Sequence, residues 1–142
     1  CLALRDAGEP VPAAQVLIYP GLGGDQHLAS RSECIDAPLL SSSDVDCYHA
    51  LYLRGSPQPG PYAMPLLAAD LRRLPPAFIA VAQFDPLRDD GVLYAERLNA
   101  AGVAATLYYG EGLVHGCLRA WGQVPEVDAL YETMLGYFAV KI

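Results

Sequence analysis

The sequence predicts an α/β fold, a mostly parallel sheet of three strands with helices on its faces. Three observations carry that reading. The runs Gln15–Pro20 and Ala77–Gln83 are apolar without polar alternation, as in strands covered on both faces. Amphipathic helical patterns follow the second and third strands. Strand and helix alternate along the chain, which is the order of parallel sheets built with helical crossovers.

The bulk properties bound the function. A length of 142 residues suits one domain, and 53% hydrophobic against 18% charged residues excludes a disordered chain. A net charge of −7 argues against nucleic acid or anionic membrane as a partner. No apolar run approaches the ~18 residues of a membrane span, and the charged-then-apolar pattern of a signal peptide is not expected in these residues. The four cysteines show no CxxC spacing, so free thiols in a reducing, cytoplasmic setting are expected. Asp46-Cys47-Tyr48-His49 lacks a second pair of ligands, and neither a metal nor a cofactor is expected.

Each element has a local cause. Cys1–Gly8 reads as the last two turns of a helix closed by a glycine in the left-handed position, so the chain is expected to start in mid-domain. Glu9–Pro12 is a turn, and Gln15–Pro20 is the first strand. Residues 21–65 are rich in Gly, Ser and Asp and are expected to form an insertion that acts as a lid or pocket wall. It holds one helix, about Ser43–Arg54, with an N-cap in its Ser-Ser-Asp start and Val45, Tyr48, Leu51 and Tyr52 on one face. A Gly55–Pro61 loop follows. The second strand, Ala77–Gln83, leads into a helix of about Leu87–Ala101 with a stripe of Leu87, Tyr94, Ala95, Leu98 and Ala101. The third strand is Val103–Tyr109, ended by Gly110, and the loop Glu111–Gly116 carries His115. A last helix, about Val124–Val140, buries Val127, Leu130, Tyr131, Met134 and Phe138.

In parallel sheets the chemistry lies beyond the carboxyl ends of the strands. Asp85 follows the second strand and His115 the third, so both occupy that edge. By itself Asp85-Pro86 reads as a helix start with a capping carboxylate. By itself His115 reads as an exposed or structural residue. Together they are two parts of a hydrolase triad, in which a buried carboxylate orients an imidazole and stabilises its protonated form. Gly112 and Gly116 give the histidine loop its freedom. The nucleophile is missing, because no G-x-S-x-G occurs. Ser30, Ser32, Ser41, Ser42, Ser43 and Ser56 read as turn or cap residues. His27 and His49 read as surface or packing residues, and Cys117 as a small buried apolar one.

Asp85-Pro86-Leu87-Arg88-Asp89 and Gly112-Leu113-Val114-His115-Gly116 resemble the C-terminal part of the hormone-sensitive-lipase-like carboxylesterases, of α/β-hydrolase fold. Val16-Leu17-Ile18-Tyr19-Pro20, Leu74-Pro75-Pro76-Ala77-Phe78-Ile79 and Tyr94-Ala95-Glu96-Arg97-Leu98 extend the resemblance over essentially all 142 residues. Gln83, in place of Glu, and Cys117, in place of an aromatic, depart from the family pattern. The resemblance implies that residues 1–142 form a partial α/β-hydrolase domain. Asp85 would be the acid and His115 the general base, with Leu87 and Val114 at the substrate site. The serine would lie in an elbow upstream of Cys1, with the oxyanion donors earlier still. The expected substrate is a small ester with a short to medium acyl group. The isolated chain is expected to be inactive and to need the N-terminal half or a second copy over its exposed sheet edge. The alternative is a non-catalytic ligand-binding or interaction module on the same fold.

Overall fold

A computed structural model describes residues 1–54 and 59–141 of the chain. Among the described residues five α-helices and three strands follow in the order α1 Leu2–Ala7, β1 Gln15–Ile18, α2 Ala29–Glu33, α3 Ser42–Tyr52, β2 Ala77–Phe84, α4 Arg88–Ala100, β3 Ala105–Val114 and α5 Pro125–Lys141. The first four residues of the predicted Gly55–Pro61 loop lie outside the described residues.

The strands form one parallel sheet in the order β1-β2-β3. β2 is central, and Ala77–Ala82 are each exposed by 3% or less. Its side chains alternate between two cores, as the period of a strand requires. Ala77, Ile79 and Val81 meet Leu2 of α1 and Tyr94, Ala95 and Leu98 of α4. Phe78, Ala80 and Ala82 meet Leu113, Cys117 and the Val127 and Leu130 of α5. The helices thus cover both faces, as the apolar stripes of α4 and α5 predict. Tyr137, outside the predicted stripe, extends the α5 contact with its ring 5.5 Å from Phe78.

Several sequence expectations need correction. β1 has both faces packed as expected, Leu17 on one core and Val16 and Ile18 on the other, but Gln15–Ile18 are only half-buried. The cause is topological: among the described residues no strand pairs with its far side. α2 is too short for its periodicity to reveal. α3 starts earlier than expected because Ser41 is its cap. The Ser41 hydroxyl accepts the Asp44 N–H, and the Asp44 carboxylate accepts the Ser41 N–H, a reciprocal capping box. Of its expected apolar face only Val45 is buried; Tyr48, Leu51 and Tyr52 are exposed.

The correction that matters most concerns β3. The strand begins at Ala105, because Val103 is spent in a turn with its N–H on Leu98 O. It does not end at Gly110. Ala82 pairs with Gly110 and Phe84 with Val114, so β3 bulges between them and then rejoins the sheet. Gly112 turns at φ 72° and donates its N–H to Gln83 Oε1 at 2.8 Å. His115 therefore follows the strand directly and is not on a free loop.

α4 approaches the sheet closely at Gly91. A Cβ there would lie 2.4 Å from Val81 Cγ1 and 3.3 Å from Ile79 Cγ2. Val81 is buried and β-branched, so it has little room to yield. Gly91→Ala is expected to destabilise the fold by about 1–3 kcal/mol, outweighing a helix-propensity gain of up to about 1 kcal/mol. Denaturant unfolding checks this, and an unchanged or raised midpoint contradicts it.

Candidate active site

Asp85 follows β2 and is fully buried. One carboxylate oxygen, Oδ1, accepts the Leu87 N–H at 2.8 Å. The other, Oδ2, lies 2.8 Å from His115 Nδ1. Asp85 therefore does not cap α4, which begins at Arg88 with Leu87 in the cap position and no side-chain cap; Oδ1 closes a local turn ahead of the helix and Oδ2 faces the imidazole. A proton on Nδ1 donated to this carboxylate leaves the Nε2 lone pair as the acceptor of a further proton. The His115 side chain is 25% exposed, which leaves the ring accessible from solvent. Gly116 follows at φ 74°, a turn that a residue with a side chain rarely adopts.

The turn that carries Asp85 is held from the insertion. The Pro86 carbonyl accepts the Ser30 hydroxyl at 2.9 Å and Arg31 Nη1 at 2.8 Å. Arg31 Nη2 also donates to Asp90 Oδ1 at 2.9 Å. Asp90 Oδ2 accepts the N–H groups of Leu22 and Gly24, at 2.8 and 3.1 Å. Asp89 accepts the Ser30 N–H at 2.8 Å. Ser30, Arg31 and Asp90 are buried, so these bonds act in a dry environment. Ser30 was expected to be a turn or cap residue; it is a buried tie between α2 and α4. Sequence reasoning missed this network. Two acids in the first turn of α4 are a readable signal, but nothing local points to their partners near residue 30.

The other serines act locally. Ser41 caps α3, Ser42 donates to Arg31 O at 2.6 Å, and Ser32 donates to Ala29 O at 3.0 Å. Ser56 lies outside the described residues. Among the described residues no serine hydroxyl is hydrogen-bonded to His115.

A cleft of about 250 Å³ opens on His115. Leu40, Val45 and Leu87 form its buried apolar side. Tyr48 and Tyr52, both exposed, and the half-buried His49 form the outer side. Leu87 lines the same cleft as His115. Val114 instead borders a separate depression with Leu39 and Cys117. His27 is exposed. Cys117 is buried among apolar neighbours, and that burial pushes its thiol up. All four cysteines are free. Among the described residues no three His, Cys, Asp or Glu side chains converge to hold a metal ion, and no helix is long and apolar enough to cross a membrane.

One contact was not anticipated. The ring of Tyr19, just after β1, lies 4.6 Å from the His115 imidazole, centroid to centroid, at an interplanar angle of 54°.

Residues 1–119 match a family described as alpha/beta hydrolase fold. Esterase LipI of Mycobacterium tuberculosis is 40% identical over 143 aligned residues, covering 97% of this chain and 43% of LipI. Carboxylesterase NlhH of the same species is 43% identical over 141, covering 96% of this chain and 44% of NlhH. The crystal structure of DphMB1 superposes with a TM-score of 0.92 at 40% identity, covering 99% of this chain and 47% of that one. The chain spans less than half the length of each.

Proposed function

Because the chain belongs to the α/β-hydrolase fold family, we propose that it supplies the acid and the histidine of a Ser-His-Asp triad in a serine carboxylic-ester hydrolase. The observation that carries this reading is the 2.8 Å contact between His115 Nδ1 and a fully buried Asp85 carboxylate. The esterase and carboxylesterase names of LipI and NlhH support the reaction class.

No G-x-S-x-G elbow occurs in these 142 residues, so the serine and the oxyanion donors come from outside them. The serine attacks the ester carbonyl while His115 Nε2 takes its proton. His115 then returns the proton to the leaving alcohol, and the same base activates water for deacylation. Asp85 keeps the imidazole in the productive tautomer and stabilises the imidazolium. Residues 21–65 shape the pocket through Leu40 and α3. Leu87 contacts the substrate, and the apolar side of the cleft favours a short to medium acyl group. Val114 acts at the end of β3, which delivers His115. The N-terminal half or a second copy covers the open edge of β1. Four free thiols support a reducing, cytoplasmic setting.

The test compares the isolated 142-residue chain with the intact protein on p-nitrophenyl butyrate. The expected result is saturable turnover by the intact protein and none by the isolated chain. Saturable, His115-dependent turnover by the isolated chain excludes an external serine. Absence of turnover by the intact protein across a series of short and medium esters excludes the esterase reading.

A further inference from the structure

Tyr19 breaks the alternation of β1. Val16 and Ile18 pack on the α5 side of the sheet, and Leu17 packs on the α4 side. A period of two assigns Tyr19 to the α4 side, with Leu17. Its ring is instead on the α5 side, together with Ile18. The backbone explains the reversal. Tyr19 has φ +37°, a region that costs energy for any residue with a Cβ. Its N–H nevertheless completes the parallel ladder, donating to Ala80 O at 2.7 Å. The strand stays paired up to Tyr19, and the chain then twists so that the ring crosses to the face where His115 stands.

Strain of this kind persists only where the surroundings hold it, and it concentrates at functional sites. Here it places an aromatic ring 4.6 Å from the imidazole. The need for such a contact is geometric. The Asp85 bond fixes one ring atom, Nδ1, and a single hydrogen bond leaves the imidazole plane able to swing. The residues on either side fix the backbone, Val114 by pairing with Phe84 and Gly116 in a left-handed turn, but they do not set the rotation of the ring. A ring packed at a tilt 4.6 Å from the imidazole restricts that freedom. Tyr19 is itself held by its backbone N–H on Ala80 O and by packing of its ring in the α5-side core, and that burial pushes its phenol above the ordinary value.

We propose that Tyr19 is a positioning residue for His115. Its strained backbone at the end of β1 sends the ring across the sheet, where it fixes the imidazole plane and with it the direction of Nε2. The kinetic consequence rests on the hydrolase reading; the contact does not.

The experiment uses Tyr19→Phe, Tyr19→Leu and Tyr19→Ala in the intact protein, with ester turnover and the imidazole NMR resonances of His115 as readouts. His115→Ala assigns those resonances against His27 and His49. Tyr19→Phe keeps the ring and is expected to retain kcat and the His115 resonances. Tyr19→Leu and Tyr19→Ala are expected to lower kcat about 10- to 100-fold with little change in KM, and to shift or broaden the His115 signals. Should Tyr19→Ala fail to fold, the Leu and Phe pair decides. An unchanged kcat in Tyr19→Leu, or a loss confined to KM, overturns the proposal. So does a Phe variant as impaired as Leu, which would assign the effect to the hydroxyl. If the wild-type intact protein hydrolyses no ester, the hydrolase reading fails by itself, and the His115 resonances alone then decide the positioning: a shift in Tyr19→Leu supports it and unmoved signals overturn it.

Discussion

Asp85→Asn is expected to lower kcat of the intact protein by about 10⁴-fold while leaving the fold in place. The amide oxygen can still accept the Leu87 N–H that Asp85 Oδ1 accepts at 2.8 Å. The turn that leads into α4 is therefore kept, and the start of the helix has no reason to move. The other end of the amide is an NH₂ group facing His115 Nδ1. It donates where the carboxylate accepted, so Nδ1 carries the lone pair and the proton moves to Nε2. An imidazole in that tautomer cannot take a proton from a serine. The negative charge that stabilises the imidazolium is lost as well. KM is expected to change little, because neither group contributes much to ground-state binding. Steady-state kinetics with a thermal melt of the same preparation checks this. Retention of more than about a tenth of the activity would remove Asp85 from the triad.

The second large effect is on stability. Asp90→Ala is expected to cost about 3–5 kcal/mol, the usual penalty for leaving one member of a buried ion pair alone. Asp90 is fully buried and Arg31 is 8% exposed, so solvent does little to relieve the orphaned guanidinium. The same change strips the Leu22 and Gly24 N–H groups of their acceptor. Against a typical domain stability of about 5–15 kcal/mol this is a substantial fraction. The paired substitution Arg31→Met with Asp90→Leu removes both charges and is expected to be less harmful than Asp90→Ala alone. Denaturant midpoints of the three proteins provide the check. A loss below about 1 kcal/mol for Asp90→Ala would mean that the network does not hold the insertion.

The parts of the molecule that local chemistry dictates were legible in the sequence. The apolar run Ala77–Ala82 could only be a central strand, and the stripes of α4 and α5 could only face a sheet. Asp85 and His115 were legible because strand order alone makes their ends neighbours. What stayed hidden depends on distant partners. Gly110 looked like a terminator because a bulge is chosen by the opposing strand, here through Gln83 and Phe84. Ser30 looked like a turn residue because its partners are Pro86 and Asp89. Tyr19 looked like one more apolar strand residue, since a positive φ leaves no mark on residue type. Tyr48, Leu51 and Tyr52 were placed on one helix face correctly, but period cannot say whether that face meets a core or a cleft.

The buried ties around Asp85 also have a kinetic meaning. The bonds that hold its turn join residues 55 to 68 positions apart, and the Asp85–His115 contact spans 30. Closing loops of that length costs chain entropy before any contact rewards it, and parallel pairing is non-local for the same reason. Local helices can flicker into existence early; the acid and the histidine cannot meet until the whole sheet has formed. The reactive geometry is then among the last features to appear during folding and among the first to dissolve on unfolding.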